Sequence, residues 1–499
     1  MRHARAALLA AACIGLAGTL TLALGASSLQ RWWGPGDDRV FPAQADYPNP
    51  TGSLRVLYVG APMKTRDHPF FKPTGPNGRA CVTCHQPADS MSLSAATARE
   101  RWTATAGKDP LFAAYDGSNC PKLPQAERAS HSLLLEQGLI RVERRWPPHD
   151  LHGDVITPDF TIEVLRDPNG CNSLPGYGPQ AAQPVISVYR RPRPVANLKY
   201  LLAVGFPLDP KQGLPLPLDP VTGKPLSGNL MADGRASTLN LQALDAGLTH
   251  LQFTGKSRSR DTAAIIEFES QIYTAQQSDL KAGDLDSGGG GGGPRLLADS
   301  EPGQLGSIGR AVWSEFAGWE RSAADATLTP AQREQRASIA RGARVFRDKT
   351  FLISDSAGIN SPMGFGNPVR NSCVFCHNMT QMGNDVAPGQ VDLGTTTLPF
   401  ADPAPQLPLF RITCLRDPHP HYGRVIQTYD PGFALTTGRC ADVGKITLQS
   451  MRGLAARAPY FSNGSAADLR AVVDYYDRRY QIHYTEQEKQ DLVNLMGAL

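Results

Sequence analysis

The sequence predicts a mainly α protein with long loops and a small β element in the N-terminal half. Three observations predict it. Helix-period segments outnumber strand-like runs. One pentapeptide pattern occurs twice, as CVTCH at 81–85 and CVFCH at 373–377. Between the copies stands DSGGGGGGP at 286–294, and a glycine run reads as a flexible connector because it has little preferred conformation. The expected organisation is an N-terminal segment 1–26, a first unit 27–285, a Gly-rich linker 286–310 and a second unit 311–499.

The elements follow from local patterns. Helices are expected at 94–104, 125–138, 331–347, 466–480 and 485–498. The last opens with Thr485 and Glu488, the two ends of a capping box. In 466–480 the residues Leu469, Val472, Val473 and Tyr476 share one face, and Asn463-Gly464 suits a tight turn before it. A weaker copy of this turn-plus-helix pattern occurs in the first half as NLMADGRASTLNLQAL at 229–244. The first half separates pentapeptide and turn by about 60 residues more than the second, so an insertion is expected around 120–171 and 204–225. The strand-like runs are IRVERR (140–145), FTIEVL (160–165) and VISVYR (185–190).

Composition narrows the partners. Charged residues are 19% and the formal net charge is +4, with no basic run or basic-aromatic stripe, which argues against nucleic acid. Arg2, His3 and Arg5 precede an uncharged apolar run, Ala6 to Gly25, with small residues Ala23 and Gly25 placed for cleavage. This predicts export to the periplasm. The run is also long enough to remain as an N-terminal membrane anchor. Export implies an oxidising compartment. Outside the pentapeptides and the leader, Cys120, Cys171, Cys414 and Cys440 remain. Local pairing, 120 with 171 and 414 with 440, is the simplest of three connectivities.

In an exported chain, C-x-x-C-H points to covalent attachment of a c-type haem. Two thiols add to two vinyl groups, and the adjacent histidine offers a nitrogen to the iron. A thioredoxin-like pair wants a βαβ context, and a zinc site wants a second Cys or His pair nearby; neither accompanies these copies. Two covalently bound haems c are therefore expected, held by Cys81, Cys84 and His85 and by Cys373, Cys376 and His377.

Two CxxCH motifs and ITLQSMRGLAARAPYFSNGSAADLRAVVDYYD (446–477) resemble the bacterial di-haem cytochrome c peroxidase superfamily. That group includes the di-haem enzyme that matures tryptophan tryptophylquinone and, more distantly, the di-haem rubber oxygenases. The resemblance is specific over about 335–499 and looser in the first half, where MADGRASTLNLQALDAGLTHLQF (231–253) carries it. It implies two cytochrome-c-like haem domains, the N-terminal haem meeting the oxidant and the C-terminal one relaying electrons. By resemblance, Tyr476 stands where the family places the distal ligand of the second haem. Met451, Met379, Met382 and His483 are the runner-up ligands. In the first pocket Gln242 matches the family's glutamine. The family's bridging Trp position holds Ala232, and its acid–base Glu position falls on Gln252, with His250 two residues away. Histidine exchanges a proton near neutral pH and glutamine does not.

Other candidates follow. Trp102 and Trp146 are the tryptophans that could stand between the haems, and His131, His149 and His152 could close the first site as sixth ligands. Arg235 and Arg452 are candidate partners of haem propionates. No acidic cluster has calcium-ligand spacing. The leading expectation is a peroxidase-like oxidoreductase using hydrogen peroxide or dioxygen, with a small redox protein or quinone-linked electron partner. The alternatives are a non-catalytic electron-transfer cytochrome and a rubber-oxygenase-like dioxygenase.

Overall fold

The computed structural model describes residues 31–150, 153–202, 229–253, 259–300, 314–360, 366–377 and 390–499. The expected leader 1–26 lies outside them, and among the described residues no helix is long and apolar enough to cross a membrane. The fold corrects the mainly α expectation. It mixes helices with six small antiparallel sheets among the described residues, and the helices do not form two cytochrome-c-like bundles.

Helices form where local signals are strong. Pro330–Asp348 and Glu486–Gly497 each start on a threonine in a capping box, Thr329 with Gln332 and Thr485 with Glu488. The two pack face to face, and Gly342 lets the Asp491 backbone approach closely. Asp491 accepts from Ser338 Oγ at 2.6 Å and from Arg341 Nε at 2.9 Å, which locks the crossing. Leu469–Tyr480 starts at Asp468, whose side chain accepts from Ala471 N at 2.8 Å. The expected helix at 125–138 is reduced to the turn Arg128–His131 and the short helix Ser132–Gln137, ended by Gly138 in the left-handed region.

The strands Ile140–Arg145, Phe160–Arg166 and Val185–Arg190 are present, but several others were not expected. Gln44–Asn49 and Gly52–Tyr58 form a hairpin whose turn is held by Asn49 Oδ1, which accepts from Thr51 N and Gly52 N at 3.1 Å. Ile272–Asp279 pairs with Gly52–Tyr58. Its Ile272 faces a cluster with Phe41, Phe70 and Phe268, while Tyr273 and Ala275 pack on Tyr200 and Leu297. With both faces covered, the apolar–polar alternation that marks a strand disappears. Leu409–Cys414 pairs with Val425–Thr428 on one side and Phe160–Arg166 on the other, so strands from both sides of the glycine run share one sheet.

The glycine run is ordered. Gly291 N donates to Glu315 O at 2.8 Å, and Gly292 N and Gly293 N donate to Leu285 O and Gln276 O at 3.0 Å. It wraps the buried Trp319 ring, and a Cβ on Gly290 would come within 2.7 Å of that ring. The glycines serve close approach here rather than free motion. The disulfides are Cys120–Cys171 and Cys414–Cys440, with Cα separations of 5.5 and 5.6 Å, the local pairing expected. Of the expected insertion, 203–228 lies outside the described residues.

Candidate functional site

Both CxxCH segments fold into the same tight turn. Cys84 N and His85 N donate to Cys81 O at 3.2 and 3.1 Å, and Cys376 N and His377 N donate to Cys373 O at 3.2 and 3.0 Å. One turn of helix brings residues three apart to the same side, so each turn offers two thiols side by side. These four cysteines stand outside the disulfides. Burial pushes the Cys84 and Cys376 thiols up to about 12 and Cys373 up to about 11, and it raises Cys81 as well. They are neutral, protected thiols.

The first cavity is walled by Cys81, Cys84 and His85 on one part and by the helix Leu239–Thr249 on another. His85 Nδ1 donates to Met91 O at 3.1 Å, which leaves Nε2 with its lone pair. Burial pushes His85 down to about 4, so it stays an uncharged imidazole. Gln242 and His250 also line this cavity. His250 Nδ1 donates to Asp116 Oδ2 at 2.7 Å, and Asp116 forms a buried ion pair with Arg79. Asn77 Nδ2 and Arg79 also reach His250 O, so the segment leading into Cys81 holds the backbone of this histidine while Asp116 holds its ring. Burial raises the Asp116 carboxyl, but Arg79 and His250 outweigh it and hold the group below its usual range.

The second cavity is walled by Cys373, Cys376 and His377, with Tyr476, Val472 and Val473 from the helix Leu469–Tyr480. Burial pushes His377 down to about 4. Met451 lines the same space. The Tyr476 ring stacks on Tyr480 at 6.3 Å, and burial holds its hydroxyl well above the usual phenol range.

A thin wall separates the cavities. Thr447 N, on the second side, donates to Ala232 O, on the first, at 2.8 Å. The two-stranded sheet of Ile140–Arg145 and Val185–Arg190 ends at Arg190 and leads into Arg191 and Arg193 at this wall. Arg191 lines both cavities; its guanidinium donates to Leu93 O and Pro459 O, and its Nε has no hydrogen-bond partner among the described residues. Arg193 donates to Thr447 O and Leu448 O at 2.9 and 2.5 Å, and Arg457 donates to Ser450 O. None of the three forms an ion pair with a carboxylate among the described residues. Burial, with Arg457 nearby, pushes Arg191 down to about 9 and Arg193 to about 10; burial alone pushes Arg457 to about 10. Buried cations without counter-ions are costly. A haem in each cavity would be held by the thiols of its CxxCH turn and the adjacent imidazole, and its carboxylates would supply negative charge to these arginines. The residues therefore fit two haems.

No family model matches the chain. A cytochrome-c peroxidase of Pseudomonas sp. (strain SCT) is similar to it: 31% identical over 148 residues, which is 26% of this chain and 36% of that protein. The likeness is partial, and it is to a peroxidase-like haem family.

Several expected residues are placed elsewhere. Gln252 is not among the residues lining the first cavity; it sits at φ 54° in the turn beyond His250. Trp102 packs on Phe112 and His131, and Trp146 on Phe160, so neither stands between the cavities. His131 has both ring nitrogens on backbone carbonyls, Gly117 O and Gln125 O, and lines neither cavity. His149 Nδ1 lies 3.0 Å from Pro147 O, outside both cavity walls, and His152 lies outside the described residues. His483 does not line the second cavity, and Met379 and Met382 lie outside the described residues. Arg235 is engaged by Asp233 and Asp245, and Arg452 by Glu315, whereas Arg191, Arg193 and Arg457 line the cavities without a carboxylate partner among the described residues. Those three were missed, as was Glu269 in the first cavity. The RRPRP cluster at 190–194 was the available signal: arginines leaving a strand-like run with no acids nearby.

Proposed function

We propose that the protein is a periplasmic di-haem c-type cytochrome acting as a peroxidase-like oxidoreductase. The carrying observation is the pair of cavities, each walled by a CxxCH turn and separated by one arginine-bearing wall. The partial likeness to a cytochrome-c peroxidase supports the same reading. The two disulfides support an oxidising compartment.

When bound, the haems supply one-electron iron chemistry and the capacity to divide two oxidising equivalents between two sites. The first cavity receives the oxidant, hydrogen peroxide or dioxygen, because its wall holds proton-exchanging and hydrogen-bonding side chains. Gln242 orients the oxygen substrate. His250 takes and returns a proton at Nε2, while Asp116 fixes its Nδ1–H tautomer and Arg79 fixes Asp116. The second cavity is apolar and closed by Tyr476, which suits electron relay; Tyr476 is its candidate sixth ligand. The electron partner is a small redox protein or a quinone-linked donor or acceptor.

Intact mass and resting spectra test this. The expected result is two covalent haems, one of them high-spin, with a rapid absorbance change on adding peroxide. One adduct or none ends the reading; two low-spin haems inert to peroxide make the protein an electron carrier.

A further inference from the structure

The helix Ser259–Ser270 turns its apolar side inward through Ile265 and Phe268, and Glu269 stands on that side with them. Glu269 is 3% exposed and lines the first cavity, and its Oε2 has no hydrogen-bond partner among the described residues. Among the described residues it is the one carboxyl lining this cavity. The cations of the same wall are engaged elsewhere. Arg79 serves Asp116, Arg190 serves Asp430 and Asp233, and Arg235 serves Asp233 and Asp245. Arg191 and Arg193 donate to backbone carbonyls. His250 serves Asp116, and His85 is uncharged. Glu269 lies near Cys81, whose thiol its charge would raise further. A carboxylate buried without a partner is strongly disfavoured, so this group holds its proton. Burial alone pushes it up to about 8.

We propose that Glu269 is the resident acid of the first cavity, a buried and unpartnered carboxyl that gives its proton to an oxygen substrate bound there. The proposal rests on the first cavity taking a haem and an oxidant. The transfer is of a proton only: the Glu269 O–H bond breaks, an O–H bond forms on the substrate oxygen, and the carboxylate recovers its proton from water. No electrons pass between Glu269 and substrate.

The test is difference infrared spectroscopy of the holoprotein either side of about pH 8. A protonated-carboxyl stretch is expected on the acid side. It should vanish in Glu269→Gln and persist, shifted, in Glu269→Asp. The peroxide-driven absorbance change should slow by roughly 10²-fold or more in Glu269→Gln and recover in part in Glu269→Asp. Absence of the band overturns the proposal, as does a band that survives Glu269→Gln or an unchanged rate and pH profile in a folded Glu269→Gln protein. If Cys81 carries no haem while the band is present, the haem reading and the proton delivery both fail and only the buried acid stands. If the adduct is intact and the band missing, the proposal alone fails.

Discussion

His250 gains its meaning from Asp116, 134 residues earlier, and Asp116 from Arg79. Both members of that ion pair are 1% exposed, so neutralising one strands the other. Asp116→Asn should destabilise the fold by about 3–5 kcal/mol, read as a shift in the urea midpoint at unchanged slope. Glu269 predicts a pH effect of defined sign. Its ordinary value is 4.5 and burial raises it to about 8 in the fold. The unfolded chain therefore releases this proton first. The stability tied to the protonated form is fully present below about pH 4.5 and declines up to about pH 8. Thermal midpoints measured across that window should fall more steeply in the natural chain than in Glu269→Gln. In the sequence Glu269 reads as a surface acid in IIEFES, because helical phase marks it as inward only once the neighbours that cover Ile265 and Phe268 are known.

Capped helices were legible because the caps act within four residues. Thr485 and Glu488 satisfy each other's backbone groups wherever the helix lies. The strand Ile272–Asp279 was not legible, since its partners and both covering layers come from distant segments. The glycine run is the opposite error: low intrinsic preference suggested a tether, while Trp319 and the backbone hydrogen bonds make it a fitted wrap. Gly290→Ala should therefore cost about 1–3 kcal/mol through overpacking on Trp319, measurable by denaturant unfolding. A true flexible connector would show no change.

Across the molecule, the two sides of the glycine run are stitched together. Leu409–Cys414 needs Phe160–Arg166, and the second cavity needs Arg191. Residues 311–499 expressed alone should lack a cooperative thermal transition by circular dichroism, because a sheet edge and a cavity wall would be left open. A sharp transition in that fragment would show that the shared sheet is dispensable. The order of residues alone was enough to locate the two attachment turns, since three-residue spacing and a following histidine specify that chemistry in one helical turn. Gln242, His250 and Tyr476, which line the cavities, were nominated by the family resemblance. Which groups share a cavity, which arginines lack counter-ions and which carboxyl is buried depended on packing between segments hundreds of residues apart. Burial and charge pairing are properties of that packing, and they carry no local mark in the chain.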